Sequence, residues 1–174
     1  MLLFLIGYMG CGKSTIARKL VQRLGWKLID TDHEIEMREG CSVAEIFEGK
    51  GEEYFRACER SLVEELAQEK ESCVVSTGGG LPVWGDNMTL LNSVGQSVYI
   101  ARTAENIASR LSPRGRHKRP KLRGLSDEEL IAFMSAGIAQ REPIYLNATL
   151  TLEAVPLSDD EIVARIVALI KNHC

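Results

Sequence analysis

The run Gly7-Tyr8-Met9-Gly10-Cys11-Gly12-Lys13-Ser14 joins glycines, which bare the backbone, to a lysine and a hydroxyl. Residues spaced as G-x-x-x-x-G-K-[ST] can turn successive N–H groups toward an anion, set a cation against its outer oxygens and offer a hydroxyl to a divalent metal. That is the chemistry of holding a nucleoside triphosphate by its phosphates. Gly10, Cys11, Gly12, Lys13, Ser14 and Thr15 are accordingly the candidate contacts for ATP. Cys11 is read as filler at a variable position of the loop and not as a nucleophile.

Four further groups could act beside this loop. Asp30-Thr31-Asp32 follows an apolar run; one carboxylate could hold Mg²⁺ while the other faces an acceptor hydroxyl, or the residues could simply cap a helix. Thr77-Gly78-Gly79-Gly80 would let a ligand approach the main chain closely, or form a flexible loop. Arg56 and Glu59 share a helix face. They are either a surface ion pair or a guanidinium fixed by a carboxylate, whose planar fork then binds a substrate carboxylate. Arg141 is a second cation of that kind. Between Arg110 and Arg123 lie seven Lys or Arg residues and His117, with no aromatic residue among them. Base stacking therefore has no platform there. A lid that closes on ATP and brings Arg119 against the transferring phosphate fits better. His33, His117 and His173 have no metal-ligand spacing.

These groups need a scaffold to hold them. A chain of 174 residues, 45% apolar and 26% charged, is sized for one globular domain. The net charge of −3 exerts no bulk pull toward nucleic acid or membrane. Five scattered cysteines, odd in number and with no Cys-x-x-Cys pair, point to reduced thiols in the cytoplasm and away from a zinc site. Leu2–Ile6 has no basic leader and is too short to span a bilayer. Short apolar runs alternate with helical patterns, the mark of βαβ units on a parallel sheet. Strands are expected at Leu2–Ile6, Lys27–Ile29, Cys73–Ser76, Ser97–Ile100 and Thr149–Leu152. Helices are expected at Lys13–Leu24, His33–Arg38, Val43–Glu48, Glu53–Glu69, Thr103–Leu111, Ser126–Tyr145 and Ser158–Asn172. Ser112 to Gly124, polar and rich in Pro and Gly, is expected to be a mobile surface segment.

Taken in order, the motifs resemble those of the shikimate kinase family. Its G-x-M-G-x-G-K-[ST] matches Gly7 to Ser14, its D-[ST]-D matches Asp30 to Asp32, and its G-E-x-x-F-R-x-x-E matches Gly51 to Glu59. Its T-G-G-G matches Thr77 to Gly80, its lid R-P matches Arg119-Pro120, and its late R-x-x-x-Y matches Arg141 with Tyr145. The resemblance implies an α/β fold: a three-layer αβα P-loop kinase with a five-stranded parallel sheet, helices on both faces and a mobile lid. It implies one domain over 1–174, with the lid at about 112–124 and an acceptor-binding helical region at about 32–60. Shikimate would lie against Asp32, Arg56, Gly78, Gly79, Gly80 and Arg141, and Arg110 would lie by the adenine. Lys13, Asp32 and Arg119 would be catalytic, with Ser14 and Asp30 serving Mg²⁺. The basic segment is richer in Arg and Lys than the family pattern leads one to expect. The rivals are a gluconate or nucleoside-monophosphate kinase of the same superfamily, and a non-catalytic ATP-binding regulator. The partners expected are small molecules alone, for a monomer.

Overall fold

The computed structural model describes residues 1–111 and 122–172. The elements run β1 (Leu2–Ile6), α1 (Lys13–Leu24), β2 (Lys27–Asp30), α2 (Thr31–Glu39), α3 (Val43–Leu66), β3 (Cys73–Ser76), a 3₁₀ turn (Leu81–Val83) and α4 (Asn87–Val94). They continue with β4 (Gln96–Ala101), α5 (Ala104–Arg110), α6 (Asp127–Tyr145), β5 (Leu150–Glu153) and α7 (Asp159–Asn172). The lid and its Arg119 fall mainly on 112–121, outside the described residues.

The five strands form one parallel sheet in the order β2-β3-β1-β4-β5, with helices on both faces. Every residue of β1 (LLFLI) is buried, as a parallel strand covered on both faces requires. The register sets Ser76 beside both Leu5 and Asp30, so β1, β2 and β3 end level with one another. The loops after these strands therefore open onto one crevice at the carboxyl edge, where ligands of open α/β sheets bind.

Most expected elements recur with ends moved by one or two residues, and two differences have physical causes. The two helices expected at 43–48 and 53–69 are a single run, Val43–Leu66, kinked at Gly51 (φ 83°, ψ 170°). Only glycine tolerates that φ readily, so one residue both bends the run and continues it. The helix Asn87–Val94 was not expected. Its preceding Asp86 makes no side-chain cap, and Asn, Thr and Ser in NMTLLNSV blur the helical period. It is held instead by burial of Met88 and Leu91.

Candidate active site

The phosphate loop leaves β1 and enters α1 through Gly12, whose φ of 104° puts it in the left-handed region. No side chain caps this helix. Its first N–H groups thus remain available, and the positive end of the helix adds to them. Lys13 is only 8% exposed and reaches back across the loop. Its Nζ donates to the carbonyls of Gly7 (2.7 Å) and Tyr8 (3.1 Å). The Ser14 hydroxyl donates to the Asp30 carboxylate at 3.2 Å and lies 3.2 Å from the Ser76 hydroxyl. Asp30 also accepts from the His33 amide as the N-cap of α2. The capping role and a place beside the phosphate loop thus fall on the same carboxylate.

A cleft of about 440 Å³ lies over these groups. Gly10, Gly12, Lys13, Ser14 and Thr15 line it, with Asp30, Asp32, Gly78, Gly79 and Arg110. Cys11 does not line it: its side chain is fully buried beneath the loop. Thr77, which opens the glycine motif, also lines the cleft, as do Arg18 and Ser76, which sequence reasoning did not single out. Arg18 had a legible signal, since it follows Ser14 by one helical turn; its Nε donates to the Ser14 carbonyl at 3.1 Å.

Asp32, half-buried in the cleft wall, backs onto the buried Glu59. Asp32 Oδ1 and Glu59 Oε1 are buried without a hydrogen-bond partner among the described residues. Burial, then the nearby Asp30, raises the Asp32 carboxyl above its ordinary range, while Lys13 and Arg56 pull it down. Glu59 is fully buried, and burial pushes its carboxyl up to about 7 against the pull of Arg56. Arg56 Nη1 donates to Glu59 at 2.6 Å, and Nη2 to Glu52 at 3.0 Å. The surface-pair reading of Arg56 and Glu59 is therefore replaced by a buried pair.

The consecutive glycines pack tightly here. None of Gly78, Gly79 and Gly80 has positive φ, so conformational freedom is not what they supply. A Cβ at Gly78 would stand 2.7 Å from Asp32 Oδ1 and 2.9 Å from Glu59 Oε1. One at Gly80 would stand 2.6 Å from Arg56 Cζ. The missing side chains let both acids and the arginine press against the main chain.

Arg141, on α6, approaches from the other side. Its guanidinium stacks over the Tyr8 ring, 5.4 Å from the centroid, and a Cβ at Gly79 would lie 3.6 Å from its Nη1. One turn on, the Tyr145 hydroxyl donates to the Gly79 carbonyl at 2.5 Å. One turn back, Gly137 leaves room for Tyr8, since a Cβ there would meet two ring carbons at 2.8 Å. Helix α6 is thus seated on both the phosphate loop and the glycine turn. Arg110 lines the cleft beside Gly12, and its Nη2 donates to both oxygens of Asp159 at 2.8 Å.

No cluster of three or more His, Cys, Asp or Glu suited to a metal exists among the described residues. Mg²⁺ needs no such cage, because it keeps several waters and takes one or two carboxylates plus phosphate oxygens. The converging oxygens of Ser14 and Asp30 fit that demand. No helix among the described residues is long and apolar enough to cross a membrane.

Comparison with known proteins agrees with this geometry. The sequence profile of the shikimate kinase family matches residues 9–171. A shikimate kinase of Parabacteroides distasonis is 43% identical over 151 residues, covering 87% of this chain and 86% of the relative. The crystal structure of shikimate kinase from Bacteroides thetaiotaomicron superposes with a TM-score of 0.87 at 34% identity, covering 98% of each chain. Shikimate kinase from Acinetobacter baumannii, solved in complex with shikimate, gives a TM-score of 0.83 at 31% identity, covering 99% of this chain and 93% of that one. A family match over nearly the whole length, on a fold and cleft of the expected kind, shows that the chain belongs to the shikimate kinase family.

Proposed function

We propose that this enzyme carries out the family reaction through the residues of the 440 Å³ cleft together with Gly80, Arg56 and Arg141, which do not line it but lie at and against the glycine turn. ATP phosphorylates the 3-hydroxyl of shikimate to give shikimate 3-phosphate and ADP, a step of aromatic amino-acid (chorismate) biosynthesis. One observation carries the reading of the site. The uncapped start of α1, with Lys13, opens onto the same cleft as Asp32 and the Gly78–Gly79 turn. Phosphoryl donor and hydroxyl acceptor can therefore meet there.

At the donor end, the N–H groups of Gly10 to Thr15 and the Lys13 ammonium bind the phosphates, with Arg110 toward the adenine. Ser14 and Asp30 would hold Mg²⁺, which when bound would neutralise phosphate charge. At the acceptor end, Arg56 and Arg141 grip the shikimate carboxylate, and Gly78, Gly79 and Gly80 allow the ring close to the backbone. Asp32 orients the ring hydroxyls and accepts the proton of the attacking one. Its raised carboxyl favours that transfer. In-line transfer needs positioning and charge stabilisation more than covalent chemistry. Arg119, from the lid at about 112–124, supplies a further cation to the transferring group. The whole chain works as one domain, with 32–60 as its acceptor-binding region. It acts as a cytoplasmic monomer on small molecules alone. The free thiols among the described residues and the net charge of −3 are in keeping with that.

The test is a coupled ADP-release assay with ATP·Mg²⁺ and shikimate, run beside gluconate and a nucleoside monophosphate. Release that depends on shikimate is expected. Release with another acceptor would discard the acceptor assignment and keep the kinase. Bound ATP without stimulated release would point to a regulator.

A further inference from the structure

Arg102 follows β4 and is not part of any motif discussed above. Its side chain is only 1% exposed, yet it is a full cation that makes hydrogen bonds in several directions. Nε donates to the Cys11 carbonyl at 2.9 Å. Nη1 donates to the Ala154 carbonyl and to Asn106 Oδ1, each at 2.9 Å. Nη2 donates to Asp159 at 3.1 Å, the carboxylate that also holds Arg110. A buried charge is costly unless its donors are satisfied, and here each nitrogen has a partner. One guanidinium thus joins the phosphate loop, the chain after β5 and the start of α7.

The bond to Cys11 has a directional consequence. The Cys11–Gly12 peptide is planar and trans, so its C=O and N–H point in opposite directions. Cys11 is buried behind the loop, whereas Gly12 lines the cleft. A guanidinium holding the carbonyl at the back therefore turns the Gly12 N–H toward the cleft. That amide has no acceptor among the described residues. A cation on the carbonyl also polarises the peptide and strengthens its N–H as a donor. Glycine in the loop is free to rotate, so an unanchored peptide would lose this direction.

We propose that Arg102 is a positioning residue for nucleotide binding, holding the Cys11 carbonyl so that the Gly12 N–H stays directed at the triphosphate. The inference rests on the phosphate-loop reading but not on the identity of the acceptor. Arg102→Met keeps the length and apolar stem of the side chain and removes its charge and donors. Its affinity for ADP·Mg²⁺, measured by calorimetry, should fall roughly tenfold, about 1.4 kcal/mol and the scale of one charge-assisted hydrogen bond. The KM for ATP should rise with it, while the KM for shikimate stays within about twofold. The Gly12 amide resonance in a ¹H–¹⁵N spectrum should move, and those of Gly78 and Gly79 should not. Unchanged ADP affinity in a folded Arg102→Met enzyme would overturn the proposal, as would an equal rise in both KM values. Should that variant fail to fold, Arg102→Lys keeps the charge without the planar fork. The same selective loss of ADP affinity then supports the proposal, and wild-type affinity overturns it. Calorimetry needs no acceptor, so failure of the shikimate assignment would leave this result readable.

Discussion

Gly80→Ala separates the acceptor site from the fold. The added methyl would stand 2.6 Å from Cζ and 2.7 Å from Nη1 of Arg56. Carbon atoms pack at about 3.5–4.0 Å, so the guanidinium must retreat by roughly 1 Å. Arg56 is the far end of a flexible side chain and can move, so the backbone survives. It cannot move freely, because Glu59 holds it at 2.6 Å and Glu52 at 3.0 Å. Swinging toward the exposed Glu52 releases Glu59, which is fully buried. Stranding a buried charge costs about 3–5 kcal/mol, but a carboxyl already poised near 7 can take up a proton instead. That limits the loss to about 1–2 kcal/mol, a fall in Tm of roughly 2–8 °C for a chain of this size. Catalysis should suffer more, since a displacement of about 1 Å in a clamping group costs up to roughly a hundredfold. Steady-state kinetics should therefore show the KM for shikimate rising about 10–100-fold with that for ATP nearly unchanged. Adding Glu59→Gln removes the stranded charge, so Tm should recover while KM does not. Wild-type KM for shikimate in folded Gly80→Ala enzyme, or parallel rises in both KM values, would refute the carboxylate clamp at Arg56.

Three further outcomes follow from the site. Lys13→Ala removes the one side-chain cation that the loop itself carries, and kcat should fall at least about 10²–10³-fold; near-normal turnover would dismiss the phosphate-loop role. Asp32→Asn should lower kcat by about 10²–10⁴-fold if its carboxylate accepts the proton, whereas a loss under roughly tenfold would leave it an orienting group. Because the Glu59 carboxyl is raised from 4.5 to about 7, the folded state favours its protonated form. The stability it contributes is complete below pH 4.5 and is lost as pH rises through about 7. Urea unfolding between about pH 5 and pH 8 should show the wild type losing up to ~3 kcal/mol relative to Glu59→Gln, and a gain with pH would overturn the burial argument.

Features carried by local spacing were legible before the fold was known. Leu2–Ile6 and Lys13–Leu24 are bounded as expected, because an apolar run ending at Gly7 and a helix opening after Gly12 declare themselves in sequence. Lys13, Ser14, Asp30 and Asp32 line one cleft, as strands of a parallel sheet ending level would dictate. What sequence could not carry was contact between distant segments. An Arg and a Glu three residues apart look the same on an exposed face as in a buried pair, and only the packing of α3 against Gly78 and Gly80 distinguishes them. Consecutive glycines suggested close approach of a ligand to the main chain or a flexible loop, and gave no sign that their missing side chains make room for Asp32, Glu59 and Arg56. Arg102 had no motif at all. Its importance arises from bonds spanning 91 residues to Cys11 and 57 to Asp159.

Gly137 is the residue a protein engineer would be tempted to replace first. It lies inside α6, where alanine in place of glycine ordinarily adds about 1 kcal/mol of helix stability. At this position the gain is attached to a loss elsewhere. The new methyl would strike the ring of Tyr8, a residue of the loop proposed to receive ATP and the surface on which Arg141 stacks. Tyr8 is itself buried, so overpacking by about 1–3 kcal/mol offsets the helix gain, and the variant should melt no higher than the parent. Helix propensity and the packing of the loop are set against each other at that single carbon, so a stabilised version of this enzyme must find its gains away from the middle of α6.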